Sequence, residues 1–464
     1  MYKVTVNGKT VYAREGTLLS EILKTADTSA EHPCGGKGIC RKCTVTVNGR
    51  EELSCQYKIL SDITVELSVL DDIVSETGAE ESGSFTDRLC LVLDIGTTTL
   101  ALAAVSLDER KIIKVITRTN LQRKFGADVM SRIEYCRKNG ISELNKSLIS
   151  QINQMTAEIG VSDTDTLYVA GNTAMLHMFF GVDCSAMGVS PYTPSFLESK
   201  TERAQELGLK GINKVISLPC IASFVGADIV AGLNFIGMPE NDGFTLLADL
   251  GTNAEIVLFN KDFVLCTSAA AGPCFEGANI SSGMSATSGA IYSFCDNKIK
   301  TVGDAPARGI CSTGLVDVIS ELLRKDIIDE TGYMECETFD IAEGVSLEQG
   351  DIRQYQLAKS AVYSAILTLL KIKNISFESI DKMYISGGFS ARMNIPNAVR
   401  TGLLPGELSD KCIAINNSSL LGTVKYVLEK NDLGAYCNNA VYADLSSDAF
   451  FSDLFINNMM FDIQ

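Results

Sequence analysis

Two short stretches of this chain place an acid, a glycine and hydroxyl or amide side chains in the same order. Asp94-Ile-Gly96-Thr97-Thr98-Thr99 lies between the apolar runs Leu91–Leu93 and Leu100–Val105. Asp249-Leu-Gly251-Thr252-Asn253 follows Thr245-Leu-Leu-Ala and precedes Ile256-Val-Leu-Phe259. Such a turn between two strands suits phosphate. Glycine lets the backbone approach closely, the hydroxyls and N–H groups can donate to phosphate oxygens, and the acid can hold the metal that travels with a nucleotide. One Asp-x-Gly turn is commonplace in hairpins. Two matching turns between apolar strands predict a duplicated domain with one nucleotide between its halves. The chain has no Walker A pattern, so its phosphate binding must be of this other kind.

A second chemistry lies near the N-terminus. Cys34-Gly-Gly-Lys-Gly-Ile-Cys40-Arg-Lys-Cys43 is a glycine-rich loop with three cysteines, and Cys55 follows after eleven intervening residues. The glycines allow the backbone to wrap a cluster and turn N–H groups toward its sulfurs, with the fourth thiolate arriving from a neighbouring strand. The competing reading is a structural zinc site, but zinc sites favour two Cys-x-x-Cys pairs and only one is present. The segment resembles the ferredoxin-like [2Fe–2S] domains, although Cys43 and Cys55 are closer together than that family leads one to expect. Clusters of this kind sit near roughly −400 mV, a low-potential one-electron carrier. Lys37, Arg41 and Lys42 make the loop locally basic, and an acidic redox partner is expected to dock there.

The elements that must position these residues are legible in the pattern. Val4–Ala13 reads as two strands around an Asn-Gly turn, and Thr17 precedes a short helix with Leu19, Ile22, Leu23 and Ala26 at helical spacing. Residues 71–86 hold five acids and no Lys or Arg, a flexible tether. Beyond it, Asn120–Ile133 ends in what reads as a surface helix, Leu144–Ile159 is an amphipathic helix, and Leu167–Ala170 is a strand ending in the polar turn Gly171-Asn172-Thr173. His177 lies among Met and Phe and reads as a satisfied core residue. Gly226-Ala-Asp228 opens a helix, where Asp228 taken alone would be a cap. Met383-Tyr-Ile-Ser386-Gly387-Gly388 is a strand into a Gly-Gly turn and a helix. Backbone there is flat enough for a nucleobase or ribose, and the helix N-terminus suits an anion.

Taken in order, Asp94-Ile-Gly-Thr, Asp249-Leu-Gly-Thr and Ser386-Gly-Gly resemble the phosphate 1, phosphate 2 and adenosine motifs of the actin, sugar-kinase and chaperone ATPase (ASKHA) superfamily. The resemblance implies an α/β fold of two ribonuclease-H-like halves with ATP and Mg²⁺ in the cleft. Asp94 and Asp249 would hold the metal and its waters. Gly96, Thr97, Thr98, Gly251, Thr252 and Asn253 would bind phosphate, and Gly387 and Gly388 the adenosine. Asp228 looks like the sugar-kinase position that activates the attacking group, here water. The domains expected are an α+β β-grasp ferredoxin-like domain over 1–70, the linker 71–87, the first half over 88–243, and the second half with a C-terminal extension over 244–464.

A [2Fe–2S] domain fused to such an ATPase, with Gly171-Asn-Thr-Ala-Met, Ala271-Gly-Pro-Cys-Phe-Glu-Gly-Ala and Ile310-Cys-Ser-Thr-Gly-Leu-Val-Asp, resembles the reductive activators of corrinoid proteins. That family implies an enzyme that hydrolyses ATP to pass an electron from the cluster, held by Cys34, Cys40, Cys43 and Cys55, to a Co(II) corrinoid protein, restoring Co(I). The implied partners are a corrinoid protein and an upstream low-potential donor, and a homodimer is compatible with the family. Larger members carry a middle domain between cluster and ATPase, where this chain shows only the tether.

Composition removes other classes. A net charge of −17 over 464 residues argues against nucleic acid as a partner. No apolar run reaches the ~20 residues a membrane span needs, and the N-terminus reads as a strand, not a signal peptide. Fifteen cysteines without an export signal point to a reducing, cytoplasmic setting. Eleven of them, from Cys90 onward, show no ligand spacing and read as buried small hydrophobes. The apolar stretch Phe450–Phe461 reads as a packed terminal element. Three other readings remain. One is an ATP-driven activator of another low-potential enzyme, which the ferredoxin-like segment argues against. The others are a small-molecule kinase with a redox domain, and a non-hydrolysing interaction protein.

Overall fold

The structure, a computed structural model, describes residues 1–6, 9–25, 43–66, 88–161, 164–388 and 390–461. Cys34, Cys40, the basic residues Lys37, Arg41 and Lys42, the Asn7-Gly8 turn and the acidic tether lie outside the described residues.

Among the described residues the N-terminal unit is a five-stranded mixed sheet with one helix, the β-grasp arrangement expected. Tyr2–Val6 pairs antiparallel with Lys9–Ala13 and parallel with Ile63–Glu66. Ile63–Glu66 in turn pairs with the hairpin formed by Thr44–Val47 and Arg50–Leu53. Alternation does the work here. Val4, Val6, Val45, Val47, Ile63 and Val65 turn one face inward against Leu19, Ile22 and Leu23 of the Leu19–Thr25 helix.

The rest of the described chain builds two sheets with the same core order. In the first, Leu89–Ile95 runs antiparallel to Thr99–Ser106, which runs antiparallel to Lys111–Thr119. On its other side Leu89–Ile95 runs parallel to Thr164–Gly171, which is parallel to Ile212–Ser217. In the second, Phe244–Leu250 plays the same part beside Ala254–Phe259 and Val264–Ala269, with Ile380–Ser386 and Cys412–Ala414 as the parallel strands. The duplication expected from two phosphate turns is therefore present in the strand order. The central strands Leu89–Ile95 and Phe244–Leu250 are buried on both faces, which explains their near-continuous hydrophobicity.

Each half lends a helix to the junction. Leu420, Val424 and Val427 of the Ser418–Glu429 helix pack on Val92, Ala101, Ala103 and Val105 of the first sheet. The Ala227–Ile236 helix crosses it so closely that a Cβ at Gly422 would stand 1.8 Å from the Ala231 carbonyl oxygen, and Asn234 Nδ2 donates to the Gly422 carbonyl at 2.9 Å. Because the obstacle is backbone, a side-chain shift cannot relieve it. Gly422→Ala is expected to cost about 2–3 kcal/mol of stability, read as a lower midpoint in thermal unfolding.

The terminal stretch is packed as expected. The Ala449–Asn457 helix lies along the 25-residue Gln349–Lys373 helix, and Phe461 is buried in the second core.

Candidate functional site

Asp94, Gly171, Asp249 and Gly387 all lie at or near the carboxyl ends of neighbouring strands, where an open α/β sheet offers its crevice. The first turn is held from behind. Its successive carbonyls are taken by Asn120 Nδ2 onto Gly96 (2.9 Å), Arg132 onto Thr97 (2.7 Å) and the Asn120 N–H onto Thr98 (2.8 Å). Donors are therefore what the turn has left for a ligand, the polarity an anion needs. Asn172 caps the Thr173–Phe180 helix through the Met175 N–H and donates to the Thr97 hydroxyl at 3.2 Å, joining a third polar turn to the first.

Arg132 corrects the sequence reading. Its helix, Val129–Asn139, is no surface helix: Val129, Ile133 and Cys136 are buried, and Arg132 is wholly buried beside them. Its guanidinium also donates to the Gly126 carbonyl at 3.0 Å, and burial pulls it down to about 9, against the charges of Glu276 and Asp128. Desolvating a cation without a carboxylate in contact is costly, so its place directly behind the phosphate turn is informative.

Four carboxylates face the cleft within range of one another's charge. Burial raises Asp94 above the usual carboxylate range, against hydrogen bonds from Ser419 Oγ (2.7 Å) and Asn417 Nδ2 (2.8 Å). Burial, then the charges of Asp249 and Asp94, push Asp228 up to about 7. Asp249 is raised to about 6 by burial and by Asp94, although Ser386 and Ser418 hydrogen bonds oppose this. Glu255 is raised well above the usual range by burial and by Asp228 and Asp249. Asp228 is not the helix cap. Gly226 takes that position, and Asp228 Oδ1 accepts from the Ile229 N–H at 2.9 Å within the first turn. Gly226 is required there because a Cβ would meet Asn172 at 2.5 Å.

This cluster carries a pH signature. Asp228 and Asp249 have folded values above the unfolded one, so the folded protein binds more protons between about pH 4 and 7. Stability contributed by them falls as pH rises through that window. Asp228→Asn is expected to unfold at the same temperature as the natural protein below about pH 4 and a few degrees above it at pH 8, measured by thermal melts across pH.

The second turn reaches the first through a residue the sequence reading did not single out. Glu276 accepts from the hydroxyls of both Thr98 and Thr252, the latter at 2.8 Å. Asn417, Ser418 and Ser419, at the start of the Ser418–Glu429 helix, were also missed; they tie Asp94 to the second half, and Ser418 Oγ meets Ser386 Oγ at 2.7 Å. Gly387, with φ +115°, packs on the second turn so tightly that a Cβ would lie 2.2 Å from the Leu250 carbonyl oxygen, while Gly388 is exposed beside open space. Among the described residues no α-helix follows this pair directly. A short 3-10 turn, Ser390–Arg392, intervenes, and Pro396 sits in the first turn of the six-residue Ile395–Arg400 helix, where its missing N–H is tolerated. His177 is core, as expected: Nδ1 donates to the Thr173 carbonyl at 2.7 Å and Nε2 accepts from the Ser195 N–H at 2.9 Å.

In the N-terminal unit, Cys43 and Cys55 are buried and free, with sulfurs 3.2 Å apart. The hairpin explains how so short a spacing serves. Asn48 and Gly49 both have positive φ, Thr44 pairs with Leu53, and the two cysteines therefore flank the open end of one tight turn. The Ser54 N–H donates to the Cys43 carbonyl at 3.0 Å and fixes that end. Two ligands on one tetrahedral metal stand about 3.7 Å apart for 2.3 Å bonds, so this thiol pair fits a cluster. Of the later cysteines most are buried, and Cys295 and Cys336 are exposed. No three metal-ligating side chains among the described residues converge to enclose an ion, and no helix among them is long and apolar enough to cross a membrane.

Comparison with known proteins agrees with both halves of this picture. Residues 4–62 match the 2Fe-2S iron-sulfur cluster binding domain, residues 89–241 the RACo middle region, and residues 243–464 the C-terminal domain of RACo, the ASKHA domain. The chain belongs to the RACo family. The corrinoid activation enzyme RamQ of Eubacterium limosum is 25% identical over 574 aligned positions, covering 96% of each chain. The Co(II) methylated amine-specific corrinoid protein reductase of Methanosarcina barkeri is 26% identical over 388 residues, 74% of this chain and 70% of that one. A solved structure of a reductive activator for corrinoid, iron-sulfur protein matches with a TM-score of 0.75 at 27% identity, over 99% of this chain and 98% of the other.

RACo membership means that the chain has an iron–sulfur domain and a nucleotide-binding ASKHA body. The stretch called the middle region in that family is present here as the half carrying Asp94. The alignment to RamQ is longer than this chain, so RamQ holds positions without a counterpart here.

Proposed function

We propose that this protein is an ATP-dependent reductive activator, passing one electron from a reduced [2Fe–2S] cluster to the Co(II) corrinoid of a partner protein and so restoring Co(I). The observation that carries the reading is the joining in one chain of a buried thiol pair in a ferredoxin-type sheet and two phosphate turns that meet across a carboxylate-lined cleft. The relatives named for corrinoid activation and corrinoid protein reduction support it. The cytoplasm is the setting we assign, with a low-potential donor upstream.

In this reading Cys34, Cys40, Cys43 and Cys55 hold the cluster, which supplies the one-electron carrier. Thr97, Thr98, Gly251, Thr252 and Asn253 bind the phosphates of ATP, and Gly96 lets the turn close, since a Cβ there would lie 2.6 Å from the Thr99 carbonyl oxygen. Gly387 and Gly388 line the adenosine. Asp94 and Asp249 hold Mg²⁺ through its waters, which leaves phosphate oxygens as inner ligands. Asp228 orients the attacking water, and its raised value leaves it able to accept a proton near neutrality. Electron transfer to a lower-potential acceptor is uphill by a factor of about ten for each 59 mV. ATP can offset this only by binding one conformation of the cleft better than another, and the crossed helices that join the halves are where such a difference would be felt.

The test is anaerobic. The reduced protein is mixed with a corrinoid protein in its Co(II) form and cobalt absorbance is followed with and without ATP. Co(I) formation that needs both ATP and the cluster is the expected result. Equal rates without ATP, or no Co(I) with ATP hydrolysis intact, would move the assignment to another acceptor or to a kinase.

A further inference from the structure

Glu276 ends the one-turn Pro273–Glu276 segment. One carboxylate oxygen accepts from the hydroxyls of Thr98, in the first half, and Thr252, in the second. The other lies over the second turn, 3.6 Å from where a Cβ on Gly251 would stand. An anionic group thus occupies donors from both phosphate turns at once, as a terminal phosphate would.

We propose that Glu276 is a nucleotide-displaced latch, a positioning residue that joins the two phosphate turns in the empty cleft and yields Thr98 and Thr252 to the phosphates of ATP. The proposal rests on the nucleotide assignment above. Two anions cannot share the same two hydroxyl donors, and placing them side by side is repulsive. The carboxylate must therefore leave as phosphate enters. Its backbone cannot easily follow. The Gly272 N–H is tied to the Thr252 carbonyl at 2.9 Å, and the Ser312 hydroxyl donates to the Phe275 carbonyl. The next residue, Gly277, has φ +74°, and a Cβ there would lie 2.5 Å from Met284 backbone. With the turn pinned on both sides, the displacement is a swing of the Glu276 side chain. Phosphate contact then replaces a protein contact between the halves, so closure with nucleotide and closure without it use different atoms.

Glu276→Gln keeps the size of the side chain and removes its charge. In the full-length protein, at one fixed magnesium concentration, this variant is expected to bind ATP about tenfold tighter in calorimetric titration, and its nucleotide-free form to unfold at a lower temperature. Glu276→Ala, which removes the acceptor altogether, is expected to shift both readings the same way. If the natural protein binds ATP but both variants bind it equally or more weakly, the latch is overturned and the nucleotide site stands. A drop in kcat with unchanged ATP affinity also overturns it, since that would make Glu276 a catalytic group. Failure of the natural protein to bind ATP would overturn the nucleotide assignment, and the latch with it.

Discussion

Asp249→Ala is expected to lower ATP hydrolysis at least about a hundredfold, and ATP-dependent Co(I) formation with it, while leaving the folded protein no less stable at pH 8. The two halves of that result have different causes. Asp249 ends the central strand of the second sheet, beside the turn that carries Gly251 and Thr252, and a metal held there would be lost with its carboxylate. Yet in the nucleotide-free protein that carboxylate is a burden. Burial and the charge of Asp94 hold its value near 6, so at pH 8 the fold carries a desolvated negative charge among others. Removing it relieves Asp228 and Glu255, which both feel Asp249. The hydroxyls it leaves behind, Ser386 and Ser418, already bond each other at 2.7 Å. A residue kept only for the fold would give the opposite pattern, with stability lost and hydrolysis kept. Hydrolysis rates and thermal midpoints on the same preparation separate the cases: a variant that melts earlier and hydrolyses normally would remove Asp249 from the metal site.

The same contrast explains what was legible in the sequence. Asp94 and Asp249 could be found because their signal is local: an apolar strand, an acid, a glycine and hydroxyls within six residues. The duplication could be found because the signal occurs twice. Glu276, Asn417 and Ser419 could not, because their roles exist only once the halves have met. Thr98 and Glu276 are 178 positions apart, and Asp94 and Ser419 are 325. Arg132 was misjudged for another reason. Its helix is polar on average, so it reads as surface, but Val129, Ile133 and Cys136 recur at the spacing of one face and Arg132 shares it. An arginine in the middle of an apolar stripe is the signal that would have found it. The Gly-Gly turn shows the limit from the other side. Gly387 is fixed by contact with Leu250, which a strand-turn pattern suggests, whereas the later start of the Ile395–Arg400 helix goes with Pro396, which belongs in a first helical turn.

Cys55→Ser is expected to abolish Co(I) formation, by at least about a hundredfold and with or without ATP, together with the visible absorption and most of the bound iron and sulfide. Eleven intervening residues looked too few for the fourth thiolate, because the comparison was with families in which the chain wanders before returning. Here it returns at once. Asn48 and Gly49 reverse the strand, four residue pairs from Thr44–Leu53 to Val47–Arg50 zip the hairpin, and the sulfurs of Cys43 and Cys55 come to 3.2 Å at its open end. Both are buried, and burial raises the Cys43 thiol, with Cys55 close by. Two thiols packed together without a metal compete for little but each other; a cation-rich cluster turns the same proximity into ligation by favouring both thiolates. The hairpin favours Cys55 over every later cysteine, of which the nearest in sequence, Cys90, is buried in the first sheet of the ATPase body. Iron and sulfide analysis of anaerobically reconstituted Cys55→Ser beside Cys90→Ser decides between them. Retention of a full cluster in the former would remove Cys55 from the ligand set, and loss of it in the latter would put the fourth ligand in the other domain.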